Sequence, residues 1–467
     1  MGLRYFLAYV TTLCCLSISC YGELLPEVKE KLLVKLPDNL SQNAFVGLLA
    51  IESPVDRNPM EIGKQFIIKR VNAQHLAMEK RDINILKSTE KLFSGFSEER
   101  ILGFDDYQSY FFPCKSFIEK NCISNIMAEK IKTKAFIRHN LLLVRYKVYL
   151  KLPIYESVDD DTVGLIGSNY IRLLHLHLKD ITYTIADNRV DEGLENLQLE
   201  LDFAKKALTQ NKNITLGDYV IFSQGLRKIY YLISELLDIP LLASQLDNPK
   251  LVKLLESFTE LEQQSLVRAF DGYRDQELRM LYLYPERWKD NVLNKVTVFE
   301  GLSIIAKQDS AFDTDETMNL FYNEMNTFSE ESKQLLINAS TNDQQVLSPV
   351  FKDTTLSLKA LSDVYGMENI GGRYYVQAKM NQMHDWRLSQ YDLVGYLSLV
   401  QLKLKIKQAH INKEEVSNFL KQLNSKASHP YSKQPAVWDE KTQTLSYKWL
   451  DQYFSKDNPT MRVYLRF

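Results

Sequence analysis

The chain has 467 residues, 45% hydrophobic and 25% charged, an ordinary globular balance with length for roughly three domain-sized units. Its 57 basic and 59 acidic residues leave a net charge of −2, with no basic excess to grip a phosphate backbone, so nucleic-acid binding is not expected. Only 17 glycines and 13 prolines punctuate it, which favours helices over a many-turned β fold.

Residues 1–22 read as a signal peptide. Arg4 supplies the positive start, and Tyr5–Ser19 form an uncharged, mostly apolar run that is short for a membrane span. Ser17 and Ser19, or Cys20 and Gly22, occupy the small-residue places of a cleavage site. A lipid anchor through Cys20 is the lesser alternative, because Leu16 stands one place too early for a lipoprotein signal. The expected compartment is therefore the periplasm, with no transmembrane span after the signal.

Of five cysteines, Cys14, Cys15 and Cys20 fall in that leading segment. Cys114 and Cys122 remain as one close pair, which in an exported protein reads as a disulfide. Eight steps along an unbroken helix span roughly 12 Å, and a bridge needs Cα atoms within about 7 Å, so the intervening segment must turn. Closing that loop stabilises the fold by about 2.5 kcal/mol in the chain-entropy picture.

A charged lead-in bounded by Pro26 and Pro37 is followed by helical periodicity. Ile171, Leu174, Leu178, Ile181 and Ile185 form one stripe; Leu194, Leu197, Leu201, Ala204 and Leu208 form the next. Leu226, Ile229, Tyr230, Ile233, Leu236 and Leu237 follow, then Leu251, Leu254, Leu255, Phe258 and Leu261. Each stripe predicts one apolar helix face with charges opposite, and the short polar turns between them predict antiparallel hairpins. The pattern is weakly helical-repeat-like, without the fixed period of a solenoid. A second helical block runs from about Val292 to Asn424 and includes the charge-free run Leu393–Leu402, expected as a buried helix.

The last 40 or so residues change character. "AVW", a polar turn and "TLSYKWL" predict a β-hairpin, and "MRVYLRF" a terminal half-buried strand. The expected fold is all-α, with irregular antiparallel helical hairpins and a small C-terminal β-hairpin element. Its expected divisions are 1–22 (signal), 23–339 (helical region with the disulfide), 340–353 (linker), 354–425 (C-terminal helices) and 426–467 (hairpin and strand).

Five stretches carry a resemblance: "NAFVGLLAIESP" (Asn43–Pro54), the Cys114/Cys122 pair, "TMNLFYN" (Thr317–Asn323), "NIGGRYY" (Asn369–Tyr375) and "HPYSKQPAVWDEKTQTLSY" (His429–Tyr447). Together they resemble an uncharacterised family of exported, mostly helical proteobacterial proteins with no assigned activity. The last piece is similar to that family's "NPYTGQPF-WD" turn, with His429 in place of Asn and with Ser432 and Lys433 where Thr and Gly are usual. The resemblance implies an export compartment and a helical fold, and identifies no site.

Several constellations carry chemistry on paper. His175 and His177 lie two places apart, about 200° around a helix, which does not suit one metal. "DDDTVGLIGSNY" begins like a calcium loop at Asp159 and Asp161, but Val163 and Tyr170 stand where ligands are needed. "HDWRLSQYD" (His384–Asp392) gathers His, Asp, Arg and Tyr at the start of a buried helix, and capping explains it more simply than catalysis. In Gly272–Trp288, Arg274, Arg279 and Arg287 interleave with Tyr273, Tyr282, Tyr284 and Trp288. Such mixtures suit a partner protein or cell-wall glycan, and the plainer reading is a helix packing its tyrosines on a neighbour.

No GxSxG, HExxH, GxxxxGK[ST] or GxGxxG motif is present, and no catalytic residue, metal ligand or cofactor is predicted. The expected function is non-enzymatic binding or scaffolding in the bacterial envelope. A cell-wall-directed enzyme and a periplasmic small-ligand carrier are the alternatives.

Overall fold

The strongest apolar stripes become adjacent helices in the computed structural model, which describes residues 23–86, 122–158, 163–286, 312–341, 369–387, 389–450 and 460–467. Five helices lead: α1 (Pro26–Lys31), α2 (Ala44–Leu49), α3 (Pro59–Lys80), α4 (Cys122–His139) and α5 (Leu141–Leu150). A central trio follows: α6 (Val163–Ala186), α7 (Val190–Thr209) and α8 (Leu216–Leu236). Next come α9 (Pro249–Leu254), α10 (Ser265–Leu283), α11 (Thr314–Thr341), α12 (Ile370–Arg387), α13 (Ser389–Gln408) and α14 (Val416–Leu423). Among the described residues no helix is long and apolar enough to cross a membrane.

The trio packs pairwise, α6 on α7, α7 on α8 and α8 on α6. Leu174, Leu178, Ile181 and Ile185 of α6 meet Leu197, Leu201 and Ala204 of α7 and Leu226, Ile229 and Ile233 of α8 in one buried cluster. Only residues 187–189 join α6 to α7, and Asn188 takes φ 65°, which reverses the chain at once. At the start of α8, Thr215 and Asp218 cap each other reciprocally. Burying each large aliphatic side chain contributes about 1.5–3 kcal/mol, so these stripes decide the helix arrangement.

The generous aromatic content has a place too. Tyr155 lies edge-on to Phe222 at 5.0 Å and to Phe203 at 5.6 Å, while Tyr170 stacks at a tilt on Phe222 at 4.7 Å. Phe45 of α2 reaches Tyr155 at 6.0 Å and carries the N-terminal region into the same core.

The fourth stripe departs from expectation. Leu251, Leu254, Leu255 and Phe258 are buried, but α9 ends at Leu254 and Leu261 is 51% exposed. The reason is a new start. Thr259 accepts from Glu262 N at 3.3 Å while Glu262 Oε2 accepts from Thr259 N at 2.6 Å, a capping box that opens a separate helical turn.

Helix α11 runs through Ser340 and Thr341, the first residues of the expected linker; residues 342–353 lie outside the described residues. Helices before and after that position share the core: α10 packs on α11, α11 on α12, and α13 on α8. The run Leu393–Leu402 lies within α13, with Leu393, Leu397, Leu399 and Val400 buried, as expected.

The C-terminal element is a three-stranded antiparallel sheet, β1 (Val437–Asp439), β2 (Thr444–Lys448) and β3 (Thr460–Tyr464), in the order β1-β2-β3. Leu445 pairs with Val463 and Tyr447 with Met461, and all four side chains are buried on the face against α13. The alternation read in "MRVYLRF" holds from Met461 to Val463 and then breaks, because Tyr464 is buried beside Leu465 and Phe467 is 57% exposed.

Candidate functional site

The arginine–aromatic stretch is where the sequence placed a recognition surface. Helix α10 forms because Leu266, Phe270, Leu278 and Leu281 share one buried face, and Arg274 lies on that face while Arg279 is buried on another side of the helix. Arg274 is buried, paired with Asp275 at 2.7 Å and Asp271 at 3.1 Å, hydrogen-bonded to Asn326 of α11 and held 5.1 Å from the Tyr322 ring. Arg279 is buried and donates to the Lys31 carbonyl at 2.9 Å, anchoring the end of α1. Arg81 lies over the Tyr282 ring at 4.4 Å, and Tyr284 caps the helix half-buried against the core.

Tyr273 belongs to a polar seam between α10 and α12. Lys379 Nζ donates to Tyr273 Oη at 3.0 Å and to Glu277 Oε1 at 2.7 Å, and Tyr375 Oη donates to Glu277 Oε2 at 2.6 Å. Burial first, and the Glu277 carboxylate next, push both tyrosine hydroxyls far above their ordinary range, so neither ionises near neutrality. These contacts join helices to one another and do not form an open face. Arg287 and Trp288 lie outside the described residues.

The two histidines of α6 diverge, as two places on a helix require. His177 donates from Nδ1 to Glu200 Oε1 of α7 at 2.6 Å, and Tyr146 Oη of α5 donates to Glu200 Oε2 at 2.9 Å, all three fully buried. His175 is pushed down to about 3, by burial first and then by Lys228 and Lys179. Among the described residues no group of three His, Cys, Asp or Glu side chains is placed to hold a metal. Asp159 and Asp161 lie outside the described residues, and Asp392 Oδ1 accepts from Leu450 N at 2.9 Å, tying α13 to the end of the hairpin.

The quoted motif pieces serve as clamps. Asn43 Oδ1 accepts from Phe45 N at 3.1 Å and Glu156 N at 3.1 Å, while Nδ2 donates to the Glu156 carbonyl at 2.7 Å. One side chain thus caps α2 and seats the strand-like segment after α5. Two other pieces meet each other: Asn369 Oδ1 accepts from Thr317 Oγ1 at 3.1 Å, and a Cβ on Gly372 would lie 2.0 Å from that hydroxyl. Asn319 of the same stretch accepts from Leu25 N and donates to the Glu23 carbonyl, both at 3.0 Å. Cys122 opens α4 and is fully buried; its expected partner Cys114 lies outside the described residues.

Two open concavities involve described residues. One, of about 770 Å³, lies along α11 with Arg387 on its wall and mostly carbon surface. The other, of about 780 Å³, is polar and is lined by Asp191, Ser244, Gln245, Lys250, Gln408 and His410 among others. Its walls are tied from far apart in sequence: Gln408 Nε2 donates to the Leu246 carbonyl and to Asp247 Oδ1, each at 3.0 Å. Lys250 pairs with Glu195 at 2.7 Å along the rim. His410, in the left-handed conformation just past α13, is exposed and its ring makes no hydrogen bond among the described residues. This groove was not read from the sequence, because its walls come from separate turns with no local pattern.

No protein-family model matches the chain, and neither does any curated protein or solved structure.

Proposed function

We propose that the chain is an exported, non-enzymatic binding protein of the bacterial envelope, and that the polar groove beside Lys250, Gln408 and His410 receives a hydrogen-bonding segment of a partner protein. The observation that carries the reading is the groove itself, about 780 Å³ and open, with amide, ammonium, carboxylate and imidazole groups along it. The paired imidazole and carboxylate of His177 and Glu200 are sealed in the core without solvent contact. Export rests on the apolar run Tyr5–Ser19 behind Arg4.

Fractionation of cells producing the full chain tests export, which a cytosolic location of the intact precursor sinks. Binding is tested by incubating the purified chain with envelope extract and, separately, with isolated cell-wall glycan. The expected result is a specific protein retained by wild type and lost from the Lys250→Glu/Gln408→Ala variant. Retention of glycan alone replaces the protein partner, and undiminished retention by the double variant removes the groove.

A further inference from the structure

The turn from His429 to Pro435 is built around one imidazole. His429 is fully buried, and its Nδ1 accepts from Tyr431 N at 3.2 Å and from Ser432 N at 3.1 Å. An asparagine side-chain oxygen does the same in an Asx turn, but asparagine does not titrate. The backbone closes the turn at both ends: His429 N donates to the Gln434 carbonyl at 2.8 Å, and Lys433 N, at φ 56°, returns to the His429 carbonyl at 3.0 Å.

This turn holds the sheet to the helices. Tyr431 Oη donates to Gln263 Oε1 at 2.7 Å, its ring lies 4.6 Å from Tyr391 of α13, and both tyrosines join Val267, Leu336 and Leu450 in a small separate apolar cluster. The His429 ring lies edge-on to Tyr447 of β2 at 5.2 Å. Nε2 is buried against α13 at Gly395, where an added Cβ would come within 2.2 Å of it, and among the described residues it has no hydrogen-bond partner.

We propose that His429 is an acid-operated latch: while Nδ1 is bare it pins the turn that seats the three-stranded sheet on α13, and taking up a proton there releases the sheet. The proton comes from solvent and occupies the lone pair that two backbone N–H groups share. Those two donors then face a third, and among the described residues the imidazolium has no acceptor on its other side. The groups facing the ring do not rescue the charge: Lys433 in the turn is itself cationic, and Tyr431, Tyr447 and Tyr391 are phenols. Asp392 on α13 is engaged by Leu450 N. Burial, and Lys433 next, already hold the imidazole down to about 4, consistent with a site built for the neutral ring.

Hydrogen exchange of the full chain at pH 7.5 and pH 4.5 tests the latch. After correction for intrinsic exchange, wild-type peptides covering 429–448 are expected to lose at least tenfold more protection in acid than the same peptides of His429→Asn, which lose only what the rest of the chain loses. Equal acid loss in the two proteins, or none in wild type, overturns the proposal. Should His429→Asn fail to fold, imidazole NMR on wild type decides. The expected signal is an Nε2–H tautomer titrating well below free histidine; an Nδ1–H tautomer or an unshifted midpoint overturns it.

Discussion

Lys403 Nζ sits 2.7 Å from Asp238 Oδ2, and neither side chain reaches solvent. Lys403 also donates to the Ser234 carbonyl at 2.7 Å, and Asp238 is shared with Lys407 at 2.9 Å and with Arg466 at 3.9 Å. The pair therefore bolts α8 to α13 and to the end of the sheet. Breaking it is asymmetric, because Asp238 faces Lys407 and Arg466 as well, while Lys403 retains the Ser234 carbonyl and the more distant Glu235 carboxylate. Asp238→Asn is expected to cost about 3–5 kcal/mol, and Lys403→Met clearly less. Urea denaturation of both variants checks this, and equal or reversed losses contradict the assignment.

Glu200 is the hub of a second sealed network, receiving His177 on one oxygen and Tyr146 on the other. Tyr146→Phe removes one donor from a buried carboxylate oxygen, a loss of about 1.5–3 kcal/mol. Glu200→Ala strands two buried donors and opens a void, a loss of about 3–5 kcal/mol. Thermal unfolding that ranks the two the other way would exclude the network as drawn.

Two buried histidines should make stability fall as acid is added. His175 is held down to about 3 and His429 to about 4, against an ordinary value near 6.5. A depressed histidine stays neutral when folded, so below about pH 6.5 the unfolded chain binds protons that the native chain refuses. Each histidine then contributes a slope of up to about 1.4 kcal/mol per pH unit, flattening near its folded value. Urea midpoints at pH 7.5, 6 and 5 should fall in that order; a midpoint that rises as pH drops refutes the sign.

Gly272 marks a close approach of helix to loop. A Cβ there would lie 1.9 Å from the Ile214 carbonyl oxygen, a backbone atom that cannot swing away. Gly272→Ala, normally favourable in a helix, is expected to destabilise by about 1–3 kcal/mol. Gain of stability in a melting experiment would show that α10 does not pack there.

The cysteine pair has its own check. Mass spectrometry of unreduced exported protein should find the Cys114 and Cys122 peptides linked, and Cys114→Ser should lower stability by about 2.5 kcal/mol relative to the oxidised wild type. Free thiols at both positions in the exported protein refute the bridge.

The apolar stripes were legible because burial repeats with the helical period, and the strands of the sheet because Leu445, Tyr447, Met461 and Val463 alternate. Charges were harder to place. Lys179 and Lys403 look like solvent-facing lysines in sequence, yet both are buried, since their acids Glu129 and Asp238 stand 50 and 165 positions away. Arg274 and Arg279 are buried in the same way. A cation over a ring or a guanidinium on a carbonyl serves helix packing as well as recognition, and only the fold says which. The role of His429 was hidden because no residue pattern reveals which ring nitrogen is bare.

A ribosome makes Asp238 long before it makes Lys403. Until the later helix arrives, the acid at the heart of the molecule stays wet, and the oily seam beside it cannot close. A truncated chain ending at residue 390 should therefore bind hydrophobic dyes that the finished protein ignores. Sealing this acid therefore joins two segments made 165 positions apart, and it waits for the later of them.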